Sequence, residues 1–304
     1  MLYGLALWTD PSRGLVELGF LFGAPIAACA LAIVLIDPKG KLGSGAHVAL
    51  GALVVAAMVI SAFFAIGEAG VCVVMASPVF LALGVSSAAL TGAARRWRAA
   101  RRFPMVAIVL PLLIIPVQGH VNYPVQEEAV VTVEDIAAPT QVVWANILSV
   151  RNIRPAETRW TFTQDLVGVP KPIDAVMVGQ GVGSVRYATW ARGVHFEERV
   201  SRWRTNEDLA WTFHFAPDSI PREVEGHINP ASSYLRIADG AYHLEPLPGG
   251  RTRLTLSTHY WMKTPVNAYS ALWGRIFIGD FHSNVLRVVG ARAEASARSL
   301  PGTG

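Results

Sequence analysis

The chain has 304 residues, enough for two domains, and at 52% hydrophobic and 16% charged it departs from the composition of an ordinary soluble protein. Its net charge of +4 lies entirely in residues 1–120, because from residue 121 onward 18 Lys and Arg balance 18 Asp and Glu. The high isoelectric point is therefore no argument for nucleic-acid binding, and no nucleic-acid partner is expected. Both cysteines, Cys29 and Cys72, fall in apolar runs, which leaves the remainder without disulfides or Cys-ligated metal.

Residues 14–36 carry one acidic residue near their start and then an unbroken apolar stretch closed by Asp37, Pro38 and Lys39. At about 1.5 Å per residue this run can cross a hydrocarbon core of about 30 Å. Further apolar runs cover 45–66 and 71–94, joined so tightly at Gly67–Gly70 that they predict a helical hairpin. A fourth, 103–119, is shorter and contains Pro104, Pro111 and Pro116, which predicts a kink. Residues 1–120 thus read as an α-helical membrane domain of about four spans, with Gly23, Gly51 and Gly84 available for helix contacts. A cleaved signal peptide is a poor reading, since Asp10 stands where a basic leader belongs.

Basic residues follow the first span (Lys39, Lys41) and the third (Arg95, Arg96, Arg98, Arg101, Arg102), whereas the loop after the second has only Glu68. The positive-inside rule makes the basic loops cytoplasmic and puts both termini outside. The abundance of Arg over Lys, 22 to 4, points to a bacterial genome. The expected location is the bacterial inner membrane, with the C-terminal domain on the periplasmic or extracellular side. The middle of every span is free of charge, which favours anchoring or packing against a membrane-protein partner over transport.

From residue 121 to the end the pattern changes. Glu127–Ile136 is Val-rich and reads as a strand. Pro139 then opens a segment whose Val142, Val143, Trp144, Ile147 and Leu148 recur at helical spacing. A polar stretch with Pro155 and Trp160 can hold a second short helix. Strands are predicted at 173–178, 184–191, 195–204 and 209–215, with a hairpin of 240–247 and 251–262 across Pro248-Gly249-Gly250. One long helix over 266–299 closes the chain, with Leu272, Ile276, Phe277, Phe281, Val285, Leu286, Val288 and Val289 mostly on one broad face. This is an α+β layout in which a curved antiparallel sheet bends round a helix, and such folds commonly leave a cavity for apolar ligands between the two.

Three stretches carry a family resemblance. VTVEDIAAPTQVVWANILSV resembles the opening strand and first helix of the START-like superfamily, the SRPBCC group of polyketide cyclase/dehydrase and lipid-transport proteins. GVGSVRYATWARGVHFEERVSRWRTNEDLAWTF is similar to its Gly-Ser-Arg hairpin and following strands, and HLEPLPGGRTRLTLSTHYWMK to its last hairpin. The resemblance spans about residues 126–299. It implies a START-like helix-grip domain, and it leaves function open, because members bind lipids, hormones or polyketides and some catalyse.

Gly179, Gly181 and Gly183 lack dinucleotide-loop spacing and are read as a hairpin turn. No His pair has metal-site spacing, so neither metal nor cofactor is expected. His195 and Glu197 share a strand face. If that face lines the cavity they form a general-base pair for a cyclase or dehydrase; if not, they are a solvated pair with Arg199, which is the default. Rings and polar groups that could line a ligand site are Trp144, Trp211, Phe213, His214, Tyr242, His259, Trp261, Phe277 and Phe281, with core filling as the default for the rings. Three functions follow: a membrane-anchored domain binding a hydrophobic small molecule or lipid beside the bilayer that supplies it, a cyclase or dehydrase, and a sensor or accessory subunit of a membrane complex.

Overall fold

A computed structural model describes residues 19–66, 70–96, 121–225 and 229–299. The chain divides into two compact units. One comprises Met1–Pro124 with Thr264–Val266, and the other Val125–Glu225, Asn229–Lys263 and the C-terminal stretch from Asn267.

The described part of the first unit is helical: α1 (Ala24–Ile36, preceded by a π turn at Gly19–Gly23), α2 (Ser44–Ser61, continued by a π turn at Ala62–Ile66) and α3 (Gly70–Arg96). Among the described residues, two helical stretches, Ser44–Phe64 and Gly70–Arg96, are long and apolar enough to cross a membrane. They correspond to the second and third of the four expected spans. Of the first expected span, 14–36, the described residues form the apolar helix Leu21–Ile36, which ends where expected, before Asp37 and Pro38. The start of that span, residues 67–69 of the hairpin joint, and the run 103–119 lie outside the described residues.

Small residues set the helix crossings. A Cβ on Gly51 would stand 2.7 Å from the Ala88 methyl, and one on Gly84 would meet Val55 at 2.5 Å and the Cys29 sulfur at 2.9 Å. Together with Ala88 and Gly92, Gly84 forms a stripe of small residues at four-residue spacing on α3, the pattern that lets helix backbones approach closely. One end of this unit holds a buried polar node. His47 is fully buried, its Nε2 lies 3.0 Å from Asp37, and Asp37 also accepts the backbone N–H groups of Lys41 and Leu42.

The second unit is an α+β domain. Seven antiparallel strands, β1 (Gln126–Ile136), β2 (Pro172–Val178), β3 (Val185–Trp190), β4 (His195–Arg204), β5 (Asp208–His214), β6 (Leu235–Leu247) and β7 (Arg251–Met262), lie in the order β1-β7-β6-β5-β4-β3-β2. Short turns make this meander possible. Gly249 and Gly250 supply positive φ values of 79° and 69° between β6 and β7. α4 (Thr140–Leu148) and the long α5 (Asn267–Ser299) complete the domain. The short helix expected around Pro155 and Trp160 is reduced to a 3-10 turn at Pro155–Glu157 and a π turn at Phe162–Leu166.

At about 1.5 Å per residue the 33 residues of α5 extend for about 50 Å. The helix lies along the β1 and β7 half of the sheet: Gly274 makes room for the Tyr260 ring, His282 sits between the hydroxyls of Thr132 and Thr258, and Gly290 packs on Ile136. Its opposite flank fastens the strap 154–167. Asn284 accepts the Arg159 N–H at 2.8 Å, Asp280 accepts the N–H and hydroxyl of Thr163, and Arg292 grips Glu157 with two donors at 2.8 and 3.0 Å. Curved sheet, short helix and long C-terminal helix match the helix-grip layout that the START-like resemblance implies.

Candidate functional site

Alternation along each strand assigns one set of side chains to the concave face that looks toward α4 and α5. From β3 this set is Arg186, Ala188 and Trp190; from β4, Phe196, Glu198 and Val200; from β5, Leu209, Trp211 and Phe213. The face has two chemically distinct ends. Beside α4 it is mainly aliphatic and sealed, with Leu209, Leu244, Leu254, Leu286 and Val289 each no more than 2% exposed.

Toward the other end it is aromatic. Phe213 lies 5.8 Å from Phe196, Phe196 6.0 Å from Trp190, and Trp190 meets Phe281 of α5 edge to face at 5.1 Å. A second group joins Phe277, Trp273 and, on the strap, Phe162, at 5.4 and 6.3 Å. Trp190, Phe196, Phe213, Phe277 and Phe281 are only half-buried. Large rings left in this state on a concave face have apolar area still to bury, at about 25 cal/mol per Å².

Between the two ends lies a buried ion pair. Arg186 and Glu198, 4% and 6% exposed, form a salt bridge through Nε, and a second Arg186 donor reaches the Ile147 carbonyl at 2.7 Å. That carbonyl belongs to the last turn of α4, where a cation is favoured by the helix dipole. The guanidinium also lies 4.7 Å above the Trp211 ring and 5.4 Å from that of Tyr242. Burial works against its charge, but Glu198 and the Tyr242 hydroxyl outweigh this and raise the Arg186 pKa above the usual arginine range. Taking two ions out of water costs several kcal/mol each, so the bonds to Ile147 and Tyr242 offset a cost the pair alone would leave. Burial raises the Tyr242 phenol pKa in turn.

The sequence-predicted residues divide by face. Trp211, Phe213 and Tyr242 point inward, Phe281 meets them through Trp190, and Phe277 belongs to the strap-side rings. Trp144 packs in the sealed end and lines a cleft of about 290 Å³ with Leu148, Met177, Gln180, Trp203 and Thr205. The other five turn to the convex face. Glu197 is bonded to Arg199 at 2.9 Å, His195 lies 3.8 Å from exposed Asp218, and His214 is exposed. His259 pairs with Asp239 at 2.6 Å, and Trp261 stands under Arg236. Period-two alternation explains the division: residues 195 and 197 share a face, but it is their neighbours Phe196 and Glu198 that face α5.

Arg186 and Glu198 are the polar residues of the interior that sequence reasoning passed over. Their signal was present, since each is the one charged position in phase with apolar neighbours, Ala188 and Trp190 for the first, Phe196 and Val200 for the second. His282 was passed over as a site too. Between its two threonines at 3.1 and 2.8 Å it is satisfied as a neutral ring, and burial lowers its pKa to about 4. Among the described residues no group of three or more His, Cys, Asp or Glu is placed to hold a metal ion.

These features define the C-terminal part as a helix-grip α+β domain with a partly open aromatic interior. No protein-family model matches the chain, and no match was found among curated proteins. Among solved structures, the Zhui aromatase/cyclase from Streptomyces sp. R1128 is 16% identical, with 59% of this chain and 100% of that one covered at a TM-score of 0.36. Norcoclaurine synthase from Thalictrum flavum, in complex with dopamine and hydroxybenzaldehyde, is 11% identical, with 59% and 91% covered at a TM-score of 0.37. Protein NE0264 from Nitrosomonas europaea is 15% identical, with 55% and 95% covered at a TM-score of 0.33.

Proposed function

We propose that the C-terminal domain binds an apolar small molecule or lipid at the aromatic end of its concave face, and that the helical unit anchors it in a membrane. The observation that carries the binding reading is the run of half-buried rings from Phe213 through Phe196 and Trp190 to Phe281. Anchoring draws support from the apolar side chains that the helices turn outward, among them Leu35, Leu53 and Phe64 at 70, 66 and 79% exposure. In the periplasmic arrangement expected from the basic loops, the domain meets its ligand beside the bilayer that dissolves it.

The cyclase or dehydrase alternative needs a free acid–base pair on the concave face. The pair there, Arg186 with Glu198, is occupied by itself, Ile147 and Tyr242, which favours binding over catalysis. Native mass spectrometry of the full chain released from lipid nanodiscs tests the reading. A co-released apolar mass is expected on the native chain, and it is lost in the Trp190→Ala/Phe281→Ala double variant with the Arg186–Glu198 pair untouched. A native chain that carries no such mass, and takes up none from nanodiscs of bacterial lipid extract, overturns it.

A further inference from the structure

The long helix changes character halfway along. In its C-terminal half the exposed positions include Arg287 and Arg298, while the buried ones are apolar apart from Asn284, which fastens the strap, as expected of a helix with one wet face. In its first three turns both the buried side and the outer side carry large apolar residues. Ala271 and Ile278 are buried against Val130, Tyr260 and Met262, yet Leu272 and Ile276, one turn apart on the opposite side, remain 47% and 37% exposed. Arg275 is the charged residue of this stretch and is turned to Glu128 at 3.4 Å, and Asn267 and Ser270 add two polar side chains near its start. A helix that buries one apolar side and exposes a second, at Leu272 and Ile276, calls for a second apolar neighbour.

Chain connectivity limits what that neighbour can be. Gln126, Met262 and Leu235 stand opposite one another, so β1 begins and β7 ends at the same edge of the domain. The chain enters the domain at that edge, directly after the helical unit ends at Pro124, and α5 starts at Asn267, five residues after β7 ends at Met262. At about 1.5 Å per residue, Leu272 and Ile276 lie only about 8 and 14 Å along α5 from its start. Tyr269, a residue type enriched at membrane interfaces, occupies the same turns, while Trp273 is buried against Phe162 and Phe277.

We infer that the outer face of the first three turns of α5 rests in the bilayer surface, with Leu272 and Ile276 at the boundary of headgroups and acyl chains. This rests on the membrane anchoring proposed above and deepens it. The surface contact and the tether act on one end of the domain, the end that also carries Phe277 and Phe281, so the aromatic interior has the lipid phase as its immediate source of ligand.

The test attaches an environment-sensitive nitrobenzoxadiazole fluorophore to single cysteines in the full chain, reconstituted in vesicles of phosphatidylcholine and phosphatidylglycerol. The variants are Leu272→Cys, Ile276→Cys, Thr212→Cys on the exposed convex face, and Leu53→Cys on the outward face of α2, with the unsubstituted chain as the labelling blank for Cys29 and Cys72. Nitroxide-bearing lipid should quench the probes at 53, 272 and 276 at least about twofold more than the probe at 212, and aqueous iodide should do the reverse. If 53 responds to lipid but 272 and 276 behave like 212, the surface contact is refuted and anchoring stands. If 272 and 276 are shielded from both quenchers, a second copy or another protein covers them and the contact is again refuted. If 53 does not respond to lipid, the anchoring itself fails.

Discussion

At the scale of single residues, His282 shows how burial turns a titratable group into a stability device. Its ring is enclosed between Thr132 and Thr258 and remains neutral down to a pKa of about 4, whereas in the unfolded chain it takes up a proton near 6.5. A depressed folded pKa means that the unfolded chain binds more protons between those two values, so the stabilisation is complete above pH 6.5 and is lost as pH falls toward 4. The shift corresponds to about 3 kcal/mol. Thermal unfolding of the C-terminal domain within the full chain should show a falling midpoint over that window, and His282→Gln should flatten the fall. An unchanged slope in the variant would mean that the ring titrates freely. The sequence showed a lone histidine on an apolar helix face and nothing of its partners, which lie 150 and 24 residues away.

Among elements, the hairpin of β6 and β7 and the long helix were legible because their signals are local. A Gly-Gly turn, alternation and a sustained helical period predicted β4 and β7 with the bounds observed, and α5 within one residue at its start. β6 begins at Leu235, five residues before its expected start, because exposed Arg236 and the register shift between Ile237 and Asp239 interrupt the alternation there. The helix contacts foreseen at Gly51 and Gly84 are present, and Gly92, which was not singled out, is the tightest of the set: a Cβ there would overlap the buried ring of His47. Gly92→Ala should therefore lower the unfolding midpoint of the detergent-solubilised chain, by an overpacking cost of about 1–3 kcal/mol. Gly45→Ala, where an added Cβ meets nothing within 4 Å, serves as the control and should leave the midpoint unchanged or raise it. Equal effects of the two substitutions would show that the His47 node is not packed as described.

For the whole molecule, the decisive contrast is between an apolar helical unit and an α+β unit with balanced charge. If the first is an anchor, membranes from cells expressing the chain should retain it through an alkaline carbonate wash and release it to detergent; recovery in the wash would end that reading. The uneven composition of the chain, its strand and turn pattern and its long closing helix were determined by the sequence alone, because composition and periodicity are properties of neighbouring residues. Which side of each strand faces α5 was decided only in the tertiary structure. A period of two states that alternate residues share a face without stating which face is inside, and register shifts such as those at Val200/Arg202 and Ile237/Asp239 reset the phase. For that reason His195, Glu197 and His259 lie outside, while Arg186 and Glu198, 12 residues apart on neighbouring strands, meet within.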